Sequence, residues 1–296
     1  MKIAIAILTY NRPEALIPLL ASIKKCSVNR IGIFDDAGIQ SGIDKIFKLE
    51  TGQESQELQA TYYRDKAFDI YVGTRNLGIA KNTNRALRWF EKCTDCDYLL
   101  LCNDDIEFTG NASKEYYEAS QKYGIGLFCF NSSGEGTDLT ESLEIFTPAL
   151  EHGADPIGVP KFVKLTRLYG AVLAMPRSTI EQVGYFDARF GKYGEEHVEF
   201  TMRCYSHGLS KGLSAVDIYD SKVKMQQVVP SLPSGLVNAE NVKAKNMLAE
   251  IAAECQTYVP FSLQSNSKVC GNEFDGISTG QLIGYNRVNS WENFDL

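Results

Sequence analysis

The sequence predicts an α/β protein with a mostly parallel, Rossmann-like central sheet flanked by helices. Two observations carry this prediction. Short apolar runs alternate with segments of helical periodicity, beginning with an apolar run at residues 3–8 and a helical pattern at 14–23. Polar clusters directly follow the predicted strands, and the carboxyl ends of parallel strands form the edge where such sheets bind ligands. The alternation therefore predicts βαβ units with right-handed crossovers.

The predicted elements cover most of the chain. Strands are predicted at residues 3–8, 30–34, 69–72, 98–102, 125–130 and 169–175, and helices at about 14–23, 79–91, 113–123, 178–183, 194–207 and 238–256. Each strand is a short apolar run bounded by turn residues, and each helix repeats apolar side chains at helical spacing. Residues 40–60 are polar and predict a helix and a loop. Residues 131–168 are rich in Gly, Ser, Thr and Pro, which predicts loops or short strands near the site.

Length and composition are ordinary for a globular protein, with 296 residues of which 44% are hydrophobic and 23% charged. We expect one domain over residues 1–225 and a C-terminal extension of a helix and a tail over 226–296. Pro230, Pro233 and Gly235 mark the change of character between them. No targeting segment is visible, and no apolar run approaches the ~20 residues of a membrane helix. A soluble, cytoplasmic protein is expected.

Charge and cysteine content exclude some functions. The net charge of −7 argues against a broad electrostatic grip on nucleic acid or an anionic membrane, which needs clustered Lys and Arg. The eight cysteines are scattered, and several lie inside apolar runs as reduced core thiols do. Cys93 and Cys96 form the one close pair, and without a second pair or a nearby histidine a zinc site is disfavoured.

Three polar clusters suit a nucleotide. They are Thr9, Tyr10, Asn11 and Arg12 after the first predicted strand, Asp35 and Asp36 after the second, and Asn76, Gly78, Lys81 and Asn82 after the third. The first offers an aromatic face, hydrogen-bonding groups and a cation beside a helix N-terminus. A carboxylate of the second can accept a hydrogen bond from a uracil N–H or a ribose hydroxyl. In isolation, the first cluster is explained equally well by a polar loop with an N-cap. A capped turn is the favoured explanation for either aspartate of the second cluster, and a solvated helix lysine for the third.

The fourth cluster, Asn103-Asp104-Asp105, directly follows the apolar run at 98–102. Two adjacent carboxylates after a buried strand repel each other and lose hydration, so something must compensate. A hard divalent cation with oxygen ligands does so, and Mg²⁺ or Mn²⁺ also bridges diphosphate oxygens. A solvated turn is the plainer alternative.

The fifth cluster, Glu195, Glu196 and His197, stands at a predicted helix start. Carboxylates are favoured there by the helix dipole, so simple capping is one interpretation. The functional alternative is a general base that deprotonates an acceptor hydroxyl. His197 could also serve, because an unperturbed imidazole titrates near pH ~6.5.

In order and spacing, these segments resemble the GT-A glycosyltransferases, most closely the large family 2 of inverting enzymes. The matching segments are residues 7–12 (opening strand and nucleotide loop), 34–36 (uracil-contacting acidic turn), 76–80 (N-x-G-x-a loop), 103–105 (DxD-type metal motif), 170–172 with 183–187 (acceptor-side segment) and 195–203 (catalytic helix). The resemblance covers about residues 1–215.

The resemblance implies a metal-dependent glycosyltransferase that transfers a sugar from a nucleotide-diphosphate donor, a UDP-sugar, to a hydroxyl of a glycan or another acceptor, with inversion. Mn²⁺ or Mg²⁺ is the implied cofactor, with Asp105 as its main ligand beside Asn103. The implied donor contacts are Thr9, Tyr10, Asn11, Arg12, Asp35, Asp36, Asn76, Lys81, Asn103, Asp104, Gly170 and Ala171. Among these, Lys81 is implied for the diphosphate, and Gly170 with Ala171 for the donor sugar.

Two departures from the family pattern leave alternatives open. The first carboxylate of the DxD motif is an amide, Asn103, and the usual base Asp falls on His197 when the segments are anchored on Arg203. Either Glu196 or His197 could therefore be the base. The two acting jointly are the favoured assignment, and Glu195 is the third candidate. A nucleotidyltransferase of related fold is the alternative enzyme, although its Gly-rich first loop is missing. A catalytically degenerate nucleotide-sugar-binding protein is the non-enzymatic alternative.

The acceptor side carries no motif. Residues 131–168 and the C-terminal extension are expected to form the acceptor site or an oligomer contact.

Overall fold

Strands and helices alternate along the chain. The computed structural model describes residues 1–36, 43, 60–64, 68–73, 76–130, 144–146, 162–164, 170–190, 192–209, 216–226 and 234–255. The strands are β1 (Ile3–Thr9), β2 (Arg30–Asp35), β3 (Ala60–Arg64), β4 (Asp69–Gly73), β5 (Tyr98–Asn103), β6 (Ile106–Phe108), β7 (Phe128–Cys129), β8 (Glu144–Phe146), β9 (Phe162–Lys164), β10 (Val172–Pro176), β11 (Val216–Ile218) and β12 (Val223–Met225). The helices are α1 (Pro13–Ile23), α2 (Ile79–Lys92), α3 (Ala112–Tyr123), α4 (Arg177–Val183), α5 (Glu196–Ser206) and α6 (Ser234–Cys255).

The central sheet has seven strands in the spatial order β3-β4-β2-β1-β5-β10-β7. Neighbours among β4, β2, β1 and β5 run parallel. β3, β10 and β7 pair antiparallel with their neighbours at the two sides of the sheet. Two smaller antiparallel sheets have the orders β11-β9-β8 and β12-β6. The predicted α/β fold is thus confirmed, with its parallel strands in the centre.

The central strand β1 is covered on both faces. All of its residues are buried. Ile5 belongs to an apolar cluster that includes Leu16 of α1, whereas Ala6 belongs to a second cluster that includes Phe90 of α2. Because successive strand side chains point to opposite faces, one buried strand supplies two cores. This double burial explains why β1 is a continuous apolar run without alternation.

Several strands differ from the sequence prediction, which includes no strand at β3, β6, β11 or β12. β3 adjoins the polar stretch at 40–60, for which a helix and a loop are predicted, and it is an edge strand that pairs only with β4 among the described residues. The predicted strand at 125–130 shortens to the two residues of β7, because only these pair with β10. Ile125 and Leu127 are nevertheless buried. A short buried apolar run has the same sequence pattern as a buried strand, whether or not it pairs with a neighbour.

Within the stretch 131–168, the described residues form the short strands β8 and β9. The remainder of that stretch, and the predicted tail beyond residue 255, lie outside the described residues. Their predicted roles at the acceptor site stay predictions.

The predicted C-terminal helix is confirmed as α6, which begins and ends close to the predicted positions. Ala244 and Leu248 of this helix are buried in the same apolar cluster as Phe200 of α5. The helix therefore packs on the sheet domain, and the predicted division at residue 225 stays a prediction. Across the described residues, no helix combines the length and apolarity needed to cross a membrane.

A buried ion pair fixes α5. Arg203 donates hydrogen bonds to Glu199 from Nε at 2.6 Å and from Nη2 at 2.7 Å. Its Nη1 donates to the carbonyl of Val183 at the end of α4. The Arg203 side chain is 0% exposed and that of Glu199 is 2% exposed. Because both charges are desolvated, each depends on the other for compensation.

Glu199→Ala is expected to lower the free energy of unfolding by ~3–5 kcal/mol, because it leaves a buried guanidinium without its carboxylate. Urea denaturation measures this loss. Glu118→Ala breaks the exposed pair with Lys114 on α3 and serves as the control, with an expected loss below ~1 kcal/mol. The double variant Glu199→Leu, Arg203→Met should recover most of the stability. If Glu199→Ala and Glu118→Ala lowered the free energy of unfolding equally, the structural role assigned to the buried pair would be contradicted.

Candidate functional site

A cavity of about 390 Å³ lies at the carboxyl edge of the parallel strands. Thr9 reaches it from the end of β1 and Asn103 from the end of β5, while Asp36 directly follows β2. The lining residues are Leu8, Thr9, Tyr10, Arg12, Asp36, Asn76, Gly78, Ile79, Asn82, Asn103, Asp105, Lys192, Tyr193, Met225, Gln226 and Val237. The volume is in the range of small-molecule sites. This is the edge at which the sequence places its polar clusters.

The predicted site residues divide into two groups. Those that line the cavity are Thr9, Tyr10, Arg12, Asp36, Asn76, Asn103 and Asp105. Those that do not are Asn11, Asp35, Lys81, Asp104, Gly170, Ala171, Glu195, Glu196 and His197. In the second group, Asp104 and Ala171 bond to residues of the first group, as described below.

Asp104 is buried and bonded within the protein. Its carboxylate accepts from Thr9 Oγ1 at 2.6 Å and from Arg12 Nε at 3.2 Å, and it pairs with Arg12 Nη2 as well. Burial raises the pKa of Asp104 to about 6, against the opposing effects of Arg12 and Thr9. Because its hydrogen bonds tie the loop after β1 to the turn after β5, Asp104 supports the cavity wall without lining it.

Asp105 presents a different environment. Its Oδ2 accepts from Arg12 Nη2 at 3.5 Å. Its Oδ1 is buried without a hydrogen-bond partner among the described residues. A buried carboxylate oxygen without a partner is costly and requires an explanation. A divalent cation at the cavity provides one.

The donor set around Asp105 fits a hard cation. Asp105 and Asn103 both line the cavity and offer carboxylate and amide oxygens. The described residues contain no cluster of three or more His, Cys, Asp or Glu side chains arranged for a metal. In Mg²⁺-type sites, one or two carboxylates and the substrate phosphates share the coordination.

Asp36 organises the loop before α2. Its Oδ2 accepts from the backbone N–H groups of Leu77 at 2.7 Å and Gly78 at 2.9 Å, and its Oδ1 accepts from Arg85 Nη1 at 2.9 Å. Burial raises the pKa of Asp36 to about 6, although Arg85 and the two N–H groups oppose the shift. The φ of +90° at Gly78 favours glycine there.

Asp35 and Asn76 make local bonds of the same kind. Asp35 Oδ1 accepts from the backbone N–H of Asn11 at 3.2 Å, and Asn76 Oδ1 accepts from that of Gly78 at 2.9 Å. Asn82 Nδ2 donates to the carbonyl of Phe34 in β2 at 3.0 Å. These bonds fix the loops from which the cavity is built.

The candidate bases lie at the start of α5, outside the cavity lining. Glu196 is 4% exposed, and its Oε1 lies 3.3 Å from His197 Nδ1. A Cβ at Gly170 would meet His197 Cγ at 3.1 Å, so this imidazole packs closely against the chain before β10. The carbonyl of Ala171 accepts from the backbone N–H of Asn103 at 2.9 Å. The predicted donor-sugar segment therefore joins the turn after β5 to the candidate bases.

Tyr193 connects these two groups. It lines the cavity and is 37% exposed. Burial raises the pKa of Tyr193, and the charges of Glu196 and Asp105 add to the shift. Its phenol is thus within electrostatic range of both the candidate base and the candidate metal ligand.

Sequence reasoning missed five lining residues: Lys192, Tyr193, Met225, Gln226 and Val237. Gln226 shows why. Its Nε2 donates to the carbonyls of Asp104 at 3.2 Å and Ile106 at 2.7 Å. Its backbone N–H donates to the carbonyl of Asp105 at 2.7 Å. It reaches this turn because β12 pairs with β6. No local motif marks such a residue. Lys192 and Tyr193 lie just before the fifth cluster, which begins at Glu195, and this is the one signal that could have found them.

With this geometry established, the chain can be compared with known structures. S. aureus TarS gives a TM-score of 0.50 at 13% sequence identity, covering 92% of this chain and 50% of TarS. TarS 1–349 in complex with UDP gives 0.45 at 16% identity, covering 69% of this chain and 55% of that one. The mannosyltransferase PcManGT from Pyrobaculum calidifontis, in complex with GDP-Man and Mn²⁺, gives 0.49 at 12% identity, covering 99% and 88%. No protein-family model and no curated protein sequence matches the chain.

The comparison defines the class of fold. At such low identity the likeness to TarS shows the fold alone, and this fold is a GT-A-like glycosyltransferase fold. The predicted GT-A resemblance is confirmed at this level. The chain spans about half the length of TarS.

The pH dependence of stability tests the Asp36 environment. The pKa of Asp36 is about 6 in the folded protein against an ordinary value of 3.8, so the folded state binds this proton more tightly than the unfolded chain. The free energy of unfolding should therefore fall as the pH rises from about 4 to about 6 and then level off. In Asp36→Asn this component, at most ~3 kcal/mol, should disappear.

Urea denaturation of both proteins across this pH range measures the difference between them. Asp95→Asn, which removes a half-exposed carboxylate paired with Arg30 at 3.6 Å, is the control and should leave the slope in place. An Asp36→Asn profile parallel to that of the wild type would contradict the prediction.

Proposed function

We propose that this chain is a metal-dependent glycosyltransferase of the family 2 type. It would transfer a sugar from a nucleotide-diphosphate donor, a UDP-sugar, to a hydroxyl of a glycan or another acceptor, with inversion. One observation carries the proposal. Oδ1 of Asp105, which has no hydrogen-bond partner in the described part of the chain, is buried at the wall of a cavity that the predicted nucleotide residues also line.

The nucleotide half of the proposal rests on the segments after β1, β2 and β4. Tyr10 offers an aromatic face at the cavity, and Asn76 and Asn82 offer amides. Such a mixture of aromatic rings and a few placed polar groups is typical of small-molecule sites. Asp36 already accepts three hydrogen bonds from the protein, so its contribution is to hold the loop that carries Asn76 as well as to face the base.

The metal half rests on the turn after β5. Asp105 and Asn103 would hold Mn²⁺ or Mg²⁺. When bound there, a divalent cation neutralises the negative charge of the diphosphate and of the leaving nucleoside diphosphate. The amide at position 103 lowers the charge of the ligand set, so the substrate phosphates would contribute a large share of the coordination.

The chemistry assigned to the chain's own groups is a displacement at the anomeric carbon. The base removes the proton of the acceptor hydroxyl, whose oxygen forms a bond to the anomeric carbon while the bond from that carbon to the diphosphate oxygen breaks. Attack from the face opposite the nucleotide inverts the configuration. The contact between Glu196 Oε1 and His197 Nδ1 supports a pair in which Glu196 orients the imidazole and His197 Nε2 receives the proton.

Asp105→Ala is expected to reduce the release of UDP from UDP-sugars on the order of 100-fold or more, because a catalytic metal is worth several kcal/mol of charge stabilisation. The measurement is UDP release from a panel of UDP-glucose, UDP-galactose and UDP-N-acetylglucosamine, with Mn²⁺ and with chelator. Asp97→Asn, exposed just before β5, is the control and should behave as wild type.

Two outcomes would count against this assignment. If Asp105→Ala and the wild type turned over the donor equally, and chelator made no difference, the proposed metal requirement would be refuted. Binding of a UDP-sugar by the wild type without any turnover would favour the alternative of a nucleotide-sugar-binding protein.

Replacing the base should reduce kcat by ~10²–10⁴ while leaving the dissociation constant of the donor largely unchanged. The variants Glu196→Gln, His197→Asn and Glu195→Gln, measured by kcat and by calorimetry with UDP, separate the three candidates. We expect large losses for the first two and a small one for Glu195→Gln. Unchanged kcat in His197→Asn and Glu196→Gln would refute the pair.

A further inference from the structure

The cavity contains few cations for an anionic ligand. Among the described lining residues, Arg12 and Lys192 are the basic side chains. The guanidinium of Arg12 is engaged by Asp104 and also contacts Asp105 at 3.5 Å. Because two aspartates already compensate the charge of Arg12, its attraction for an anionic ligand is reduced.

Lys192 is in a different situation. Its side chain is exposed at the cavity, and within the described chain its ammonium makes no hydrogen bond and no ion pair closer than 4 Å. Its charge contributes to lowering the pKa of Glu240 on α6. Its backbone is fixed from both sides. The N–H donates to Glu240 Oε2 at 3.2 Å, and the carbonyl accepts from the N–H of Ile79 at the start of α2 at 3.2 Å.

The C-terminal helix supplies one of these anchors. Glu240 lies on α6, and Val237 of the same helix lines the cavity. Gly194, with a φ of +107°, packs against α6 so closely that a Cβ there would meet Asn241 Oδ1 at 2.4 Å. The segment from Lys192 to Gly194 is therefore positioned by α6 as well as by the sheet domain.

The family resemblance implies Lys81 as the residue that contacts the diphosphate. Lys81 does not line the cavity, whereas Lys192 does. A nucleoside diphosphate brings several negative charges to a cavity whose wall also contains Asp36 and Asp105. A lysine ammonium is a common partner of phosphate oxygens, and its charge strengthens such hydrogen bonds.

We propose that Lys192 binds the diphosphate of the donor and that α6 positions it through Glu240. This inference rests on the proposed function for the identity of the ligand, and it assigns to this site a phosphate-binding residue supplied by the segment before α5. The binding free energy then depends on a contact that a nucleoside without phosphates cannot make.

Calorimetric titration with UDP and with uridine, in the presence of Mn²⁺, tests the proposal. Lys192→Gln should bind UDP about 10- to 100-fold more weakly, because a hydrogen bond to a charged group is lost, and should bind uridine as wild type does. Lys192→Arg should retain most of the affinity for UDP. Lys245→Gln, on an exposed position of α6, is the matched control and should change neither affinity.

Glu240→Ala tests the positioning role. It should weaken UDP binding less than Lys192→Gln does and leave uridine binding unchanged. If Glu240→Ala acted only by disturbing the structure, the affinities for UDP and for uridine would fall together. That result would overturn the positioning role of α6.

The outcomes also separate this inference from the proposed function. Wild-type affinity for UDP in Lys192→Gln, with weakened affinity in Lys81→Gln, overturns the inference and leaves the glycosyltransferase standing. UDP binding that depends on Lys192, without sugar transfer, upholds the inference and overturns the enzyme. A wild-type protein that binds neither UDP nor GDP overturns both.

Discussion

The bonds between Asp104 and the loop after β1 are the interaction on which the site depends. β1 and β5 are parallel neighbours, with Leu8 opposite Asn103, so the chain leaves both strands at the same place. Thr9 and Arg12 then satisfy the carboxylate of Asp104. With that carboxylate held inside, Asp105 lies at the cavity with one buried oxygen that has no hydrogen-bond partner among the described residues. The candidate cation site at Asp105 therefore depends on the hydrogen bonds of its neighbour Asp104.

The same division of labour recurs around the cavity. One set of polar groups faces the cavity, and a second set bonds to the backbone of the loops. Asp35 accepts from the N–H of Asn11, and Gln226, which also lines the cavity, donates to the carbonyl of Asp104. Because buried polar groups without partners are costly, this second set makes the loops rigid enough to keep the first set in place.

The antiparallel strands and α6 complete what the parallel core begins. β10 runs against β5, so the residues that precede it lie at the same edge as the residues that end β5. That places Gly170 beside His197 and the carbonyl of Ala171 on Asn103. α6 adds Val237 to the wall and fixes Lys192. The cavity is therefore lined by residues from near both ends of the described chain.

The sequence by itself determined where the polar clusters fall. Apolar runs that form parallel strands bring residues such as Thr9, Asp36 and Asn103 to one edge, whatever the loops do afterwards. Only the tertiary structure decided that Asp105 and not Asp104 faces the cavity, since two adjacent residues share every local signal. It also decided the contact from Gln226, which lies 122 positions beyond Asp104. Local pattern reports periodicity and turns, whereas contacts between distant segments depend on how the whole chain packs.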